Sequence, residues 1–101
     1  MTAYWISYRI HDDAGRKERL YGLTRTINAY QKRYWDRIDG FVMFDSPHSL
    51  DFLVEVMKPH INPRTDLFLI HALSTSEAAL YGHNTDPDLM ALTPYCRIVA
   101  E

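Results

Sequence analysis

The sequence predicts an α+β domain of the ferredoxin-like type, a βαββαβ sandwich with an extra C-terminal strand. Two observations support this fold class. Short runs of aromatic and β-branched residues alternate with segments whose apolar residues recur every three or four positions. Over residues 3–73 the order is strand, helix, strand, strand, helix, strand, which is the split βαβ arrangement. We therefore expect a single domain over 1–101, with residues 74–101 as a C-terminal extension.

Residue type predicts the first strand, and the spacing of apolar residues predicts the first helix. Residues 3–10 are mostly aromatic or β-branched up to a polar turn at 12–15, which is typical of a largely buried strand. Apolar residues then follow with the spacing of an amphipathic helix of about four turns. They are Leu20, Leu23, Ile27 and Tyr30. Gly22 costs this helix about 1 kcal/mol relative to Ala, which indicates either close packing or no special role.

Three further strands are predicted for the core. Asp39-Gly40 favours the positive φ angles of a tight turn, so two antiparallel strands are expected at 34–39 and 41–45. The run at 67–73 is too apolar for an exposed edge and short enough for a strand. We expect it to be central or near-central in the sheet and adjacent to the first strand.

Apolar residues at helical spacing predict a second helix. They are Leu50, Leu53, Val54 and Met57. Either Ser46-Pro47 or Ser49 is expected to cap the start of this helix, and Pro59 and Pro63 are expected to end it.

Beyond the core, the sequence predicts two short helical pieces and a strand. Ser74 and Glu77 have the spacing of a capping box, so a turn of helix is expected at 78–81, closed by Gly82. Asp86-Pro87 is expected to cap a second piece that ends at Leu92.

A fifth strand is expected at 95–100. An added strand can cover a sheet edge of its own chain or of a partner. We therefore predict a homodimer, formed through this strand or through the open face of the sheet.

Composition excludes several classes of protein. Apolar residues make up 47% of the chain, with only five Pro and four Gly, which excludes disorder and collagen. The single cysteine, Cys96, excludes an internal disulfide and a four-thiolate zinc site, and we expect it to be a buried strand residue. The glycines are too far apart for a phosphate-binding loop, which excludes Walker-type NTPases and dinucleotide folds. No signal-like or membrane-spanning apolar run is present, so a cytoplasmic location is expected.

The small net charge of −2 hides an asymmetry. Residues 1–40 hold eight basic and five acidic side chains, a net charge of +3, whereas residues 41–101 hold three basic and eight acidic ones, a net charge of −5. Basic side chains interleaved with aromatic ones suit phosphate contacts and base stacking, so DNA or RNA is a candidate partner. The alternative is a buried aromatic stripe beneath a solvated basic face. The candidate nucleic-acid-binding residues are Arg9, Arg16, Lys17, Arg19, Arg25, Lys32 and Arg33, followed in the same basic cluster by Arg37.

Residues with catalytic or metal-binding chemistry are few. Asp12 and Asp13, next to His11, could hold Mg²⁺, although two acidic residues before a glycine are also ordinary turn chemistry, which the spacing favours. No two histidines have a metal-binding spacing along the chain, and a site could arise only in space, as between His11 and His71. We otherwise expect surface or hydrogen-bonded core histidines. The five histidines are His11, His48, His60, His71 and His83.

The residues from Tyr4 to Asp13 resemble the opening of the small CRISPR-associated second Cas protein and of its SinR-like relatives. Those chains begin with an apolar strand ending in Tyr-Asp-hydrophobic, followed by an acidic turn and a basic helix. The resemblance extends in element order through Tyr34-Trp35 and the helix at Ser49 to about residue 75. It implies a ferredoxin-like homodimer and, in the CRISPR branch, phosphate-backbone binding by a Mg²⁺-dependent nuclease or by a scaffold for DNA integration.

One position departs from that family. In its nuclease-type members, the Asp after the Tyr is associated with the metal site, and here that position is Arg9. An arginine cannot ligate Mg²⁺, so either Asp12 or Asp13 replaces the missing ligand or the metal chemistry is absent, which we favour. Arg9 is then available to hold an anion at a dimer cleft.

Three functions remain open at this point. The first is a dimeric, non-catalytic SinR-like protein that binds nucleic acid through Arg9 and the basic helix. The second is a divergent metal-dependent endoribonuclease that uses His11, Asp12 or Asp13. The third is a dimeric α+β barrel that binds a small molecule in a cavity between sheet and helices. The candidate lining residues for that cavity are Trp5, Tyr8, His11 and His71.

Overall fold

A computed structural model describes all residues from Met1 to Glu101 and contains one six-stranded mixed sheet and three α-helices, which confirms the α+β class. The strands are β1 (Thr2–Arg9), β2 (Tyr34–Ile38), β3 (Phe41–Ser46), β4 (Leu67–Ala72), β5 (Ala78–Gly82) and β6 (Cys96–Ile98). The helices are α1 (Arg16–Tyr30), α2 (Leu50–Met57) and α3 (Asp88–Leu92), and one 3₁₀ turn, Lys58–His60, follows α2.

The strands lie in the order β2-β3-β1-β4-β5-β6. β1 is flanked by β3 and β4, both antiparallel to it, with Trp5 opposite Met43 on one side and His71 on the other. β2 and β5 extend this antiparallel arrangement, whereas β6 pairs with β5 in parallel. The most apolar strands are therefore the central ones, as their composition predicts.

The main core lies between one face of the sheet and the helices α1 and α2. Alternate residues of β1 and β4, including Ile6, Phe68 and Ile70, point into it, as β-strand geometry requires. Leu23 of α1 and Val54 of α2 cover them and are fully buried. Burial of each such side chain contributes about 1.5–3 kcal/mol.

The opposite face of the sheet, here called the open face, carries the other alternate residues. α3 covers the part of it over β4 and β5, where Leu89 packs on a small cluster. The remaining members of that cluster are Leu67, Leu69, Ala78, Leu80 and Cys96. No α-helix lies over the part formed by β2 and β3.

Two local predictions are confirmed, at Ser49 and Gly40, and close packing is found at Gly22. Ser49 caps α2, because its side chain accepts a hydrogen bond from the Phe52 amide at 3.2 Å. Gly40 has a φ of +71° in the turn between β2 and β3. Gly22 is closely packed, since a Cβ there would lie 2.6 Å from Nδ1 of His60.

The prediction for residues 78–81 is wrong, because they form strand β5 and not a turn of helix. All four side chains are buried, and they alternate between the two faces: Ala79 and Tyr81 join the main core, while Ala78 and Leu80 pack beneath α3. A single helical turn buries only one side and closes few hydrogen bonds, whereas a strand here satisfies its backbone along β4.

The C-terminal extension is accordingly richer in strands than predicted. Residues 74–77 form the turn between β4 and β5, closed by a 2.9 Å bond from the Ala72 amide to the Glu77 carbonyl. The helical piece ending at Leu92 is confirmed as α3. The final strand is the sixth and not the fifth, and it covers an edge of its own sheet.

Candidate functional site

Arg19 ties together the end of β1, the start of α1 and the start of β4. Its Nε donates to Asp66 at 2.8 Å, and its two terminal nitrogens each lie 2.9 Å from Asp13 oxygens. Asp66 is completely buried and also accepts hydrogen bonds from the backbone amides of His11 and Asn62, both at 2.8 Å. The acidic turn predicted as a candidate site is therefore bound to a guanidinium.

The pKa values of these carboxyl groups follow from their contacts. Burial alone raises the pKa of Asp66, but hydrogen bonds from the Asn62 and His11 amides and from Arg19 outweigh it and hold the pKa below its ordinary value. Hydrogen bonding to Arg19 likewise lowers the pKa of Asp13. Both groups are anions at neutral pH, and Arg19 occupies the positions that a cation would take.

The predicted catalytic and metal candidates are not brought together into a shared site. His71 lies opposite Trp5, whereas His11 follows the far end of β1, six residues and roughly 20 Å along the strand, so the proposed pair of these two histidines is wrong. No group of three or more His, Cys, Asp or Glu side chains is placed to hold a metal ion. Asp12 is exposed at the surface. The other histidines lie in different parts of the fold: His48, His60 and His83.

The candidate basic residues divide into two groups. Arg19 and Arg33 form ion pairs with Asp66 and Asp45, although the Arg33 side chain is 88% exposed and remains accessible. The others form no ion pair within the chain and are exposed: Arg9, Arg16, Lys17, Arg25, Lys32 and Arg37.

Three of the exposed residues on α1 follow helical spacing and form its outer ridge, defined here as Lys17, Tyr21 and Arg25. Residues four apart lie on the same side of a helix. The Tyr21 ring is 64% exposed, and the Arg25 guanidinium carbon lies 6.0 Å from its centroid. The ridge therefore presents two cations and an exposed aromatic ring, with the Arg25 guanidinium over one face of that ring.

The acidic half of the chain leaves this ridge uncovered. α2 lies beside α1, and its two acidic residues are paired: Asp51 with Arg97 at 2.7 Å and Glu55 with Lys58 at 3.8 Å. The acidic residues of the extension near α3, Asp86 among them, lie on the open-face side of the sheet. The cations of the ridge and the acidic residues near α3 therefore lie on different surfaces of the protein.

A row of aromatic rings crosses the open face. Trp5 stacks between Phe41 and His71, with centroid distances of 5.9 and 5.5 Å. At one end Trp35 lies edge-on to Phe41, and at the other Tyr95 lies edge-on to His71, with its hydroxyl 2.9 Å from Nε2. Each residue is visible in the sequence, but the row depends on strand register, which sequence reasoning did not specify.

The residues suggested for a small-molecule cavity lie on different faces. Trp5 and His71 belong to the open face, whereas Tyr8 lines a groove between α1 and the β2–β3 hairpin, and His11 lies outside that groove. The four residues therefore do not line one cavity within a chain. Cys96 is buried in β6, and burial raises the pKa of its thiol, in agreement with a packing role.

Comparison with protein-family models, with curated proteins and with solved structures finds no match to this chain. None of the helices combines the length and the apolar character that crossing a bilayer requires.

Proposed function

We propose that this protein is a homodimer with SinR-like architecture that binds single-stranded nucleic acid through the outer ridge of α1. The observation that carries this proposal is the exposed Tyr21 ring between two unpaired cations, Lys17 and Arg25. Cations bind phosphate oxygens, and an exposed ring stacks on an unpaired base, for which a duplex offers no free face.

The proposed architecture is ferredoxin-like over residues 2–72. In support, the strand order β2-β3-β1-β4 with antiparallel neighbours throughout is the one that a split βαβ unit produces. The same element order underlies the resemblance to SinR-like proteins.

We propose binding without hydrolysis. Arg9 stands at the position associated with the metal site in nuclease-type members of that family, and both carboxylate oxygens of Asp13 are occupied by Arg19. A Mg²⁺ ion needs oxygen ligands and is repelled by guanidinium groups. The phosphate contacts proposed for Lys17 and Arg25 need no metal.

The proposed dimer forms through the open face. α3 covers only the β4–β5 half of this face and carries the exposed side chain of Leu92, while the β2–β3 half bears the exposed rings and side chains of Trp35 and Met43. A twofold axis parallel to the strands brings each α3 against the bare half of the other sheet. The shape of this face therefore favours a second copy as its partner.

The nucleic-acid proposal is tested by fluorescence anisotropy with labelled single-stranded and duplex DNA and RNA at about 50 mM salt and above. The wild type is expected to prefer single strands. The double variant Lys17→Ala/Arg25→Ala loses two phosphate contacts, so the slope of log K against log salt should become shallower by about 1.4. Tyr21→Ala should weaken single-strand binding by about 1–3 kcal/mol and leave the slope unchanged.

Arg64→Ala is the matched control, because Arg64 is also exposed and forms no ion pair but lies in the loop before β4. It should bind like the wild type. Absence of binding to every oligonucleotide, or an equal loss in the control, contradicts the proposal.

A further inference from the structure

The groove between α1 and the β2–β3 hairpin is a concave feature, separate from the outer ridge of α1. Its volume is about 480 Å³, which is within the range of small-molecule sites. Its apolar lining includes Ile10, Leu20, Ile27 and Val42. Its polar lining includes Tyr8, Arg9, Arg16, Asn28, Asp36 and Asp39.

Charges of both signs line this groove without pairing to each other. Neither Arg9 nor Arg16 forms an ion pair with Asp36 or Asp39. Elsewhere in the chain, arginines near carboxylates do pair, as Arg19 does at 2.8–2.9 Å. Arg16 Nε donates to the Ile10 carbonyl at 3.2 Å, and its terminal nitrogens stay free, so the groove keeps a cationic and an anionic group available to a ligand.

A backbone hydrogen bond holds the hairpin turn against β1. The Tyr8 amide donates to the Gly40 carbonyl at 2.8 Å, next to the pair of Ser7 with Phe41. Asp39, which precedes Gly40, is thereby fixed beside the strand that carries Tyr8. A compact ligand that bears both charges can therefore meet the hairpin carboxylates and Arg16 in the same groove.

The Tyr8 side chain is half-buried between the two charged sides. Burial raises the pKa of Tyr8, and the carboxylates of Asp36 and Asp39 raise it further, while Arg16 acts in the opposite direction. All three charged groups are thus close enough to the phenol to act on it. The Tyr8 hydroxyl stays protonated at neutral pH and can donate a hydrogen bond to a ligand.

We propose that this groove binds a free α-amino acid with an apolar side chain. Arg16 holds its carboxylate, Asp36 and Asp39 hold its ammonium group, and its side chain packs on Leu20, Ile27 and Val42. Guanidinium groups match carboxylates in geometry, and a ligand bearing both charges satisfies both sides of the groove at once. The site goes beyond nucleic-acid binding and does not depend on it.

The test is a titration of the full chain with L-leucine, followed by chemical-shift changes in NMR spectra. Binding with a dissociation constant of about 1 mM or tighter is expected, with shifts centred on Tyr8 and Gly40. N-acetyl-L-leucine lacks the ammonium group and L-leucine methyl ester lacks the carboxylate. Each should bind about tenfold more weakly or worse, since each loses a charge-assisted interaction.

Two variants test the protein side. Asp39→Asn removes a charge and keeps a turn sequence, Asn-Gly, that favours the hairpin, so the fold is retained. Together with Arg16→Gln it should weaken L-leucine binding, whereas Arg37→Gln, on the same hairpin but outside the groove, should not. Absence of shifts at about 10 mM ligand, equal binding of all three compounds, or shifts located elsewhere overturns the proposal. No nucleic acid is involved, so this result is independent of the ridge.

Discussion

Asp66 joins several segments of the chain through the hydrogen bonds of its side chain. Its carboxylate accepts bonds from the amides of His11 and Asn62, from the guanidinium of Arg19 and from the Thr65 hydroxyl. In the sequence, Asp66 is visible only as a polar residue before an apolar strand. Its partners lie up to 55 residues away, so neither propensity nor spacing predicts that it is buried.

Asp66→Asn should lower the free energy of unfolding by about 3 kcal/mol, because it leaves Arg19 without its buried partner and turns one acceptor oxygen into a donor facing amides. The pKa of Asp66 is lower in the folded protein than in the unfolded chain. Its stabilisation is therefore present above the unfolded pKa, near 4, and is lost as pH falls through the folded pKa. Urea denaturation between about pH 7 and pH 2 measures both effects.

The variant should also show a weaker loss of stability in acid than the wild type, since its largest titrating contact is gone. Asp12→Asn is the control, because Asp12 is an exposed neighbour without a side-chain hydrogen bond. It should leave stability and its pH dependence unchanged. Equal stability of Asp66→Asn and wild type at neutral pH would show that the network does not hold these segments together.

At the level of elements, hydrophobic periodicity predicts a helix or strand well when only one of its sides is buried. α1 and α2 each bury one side, and β1 and β4 lie at the centre of the sheet, so their patterns were interpretable. Residues 78–81 of β5 also fit a helix by sequence, because all four are apolar and both faces of the strand are covered. A short apolar run without alternation is compatible with either element, and only pairing along β4 decides between them.

Gly82 fixes the end of β5 through a close backbone approach and not through a helix cap. Its φ is +115°, and a Cβ would meet the Asp66 carbonyl oxygen and the Leu67 Cα, which lies 2.7 Å from its position. Gly82→Ala should therefore destabilise the fold by about 2 kcal/mol, because backbone atoms cannot yield. Thermal unfolding followed by circular dichroism measures this loss.

Gly22→Ala provides the comparison. Its φ is not positive, the atom that a Cβ would meet belongs to the His60 side chain, and alanine favours helix by about 1 kcal/mol. The loss of stability should be smaller than for Gly82→Ala. The reverse ranking would mean that the interface of α1 with the 3₁₀ turn is less adaptable than the β4–β5 junction.

For the whole molecule, the net charge of −2 says little about how the charges are distributed over the surface. The unpaired cations are concentrated on α1, at the end of β1 and on the hairpin, while the acidic residues of α2 are paired and those near α3 lie behind the sheet. A polyanion can therefore approach α1 while a second copy covers the open face. The two proposed surfaces do not compete.

The proposed dimer predicts which exposed apolar residues matter. Trp35 and Leu92 are 43% and 78% exposed in the single chain, so replacing them with arginine should leave the monomer folded. Both side chains become buried when α3 of one copy packs on the bare half of the other. Trp35→Arg and Leu92→Arg should each shift the protein from dimer to monomer, because a buried unpaired charge at an interface is costly.

Sedimentation velocity across a range of protein concentrations tests this arrangement, with circular dichroism as the check on folding. Tyr21→Arg is the matched control, since Tyr21 is comparably exposed but lies on α1, on the other side of the sheet. It should remain dimeric. A wild-type protein that is monomeric at every concentration, or a dimer that survives both open-face substitutions, would exclude packing through this face and leave the aromatic row as an ordinary solvent-exposed surface.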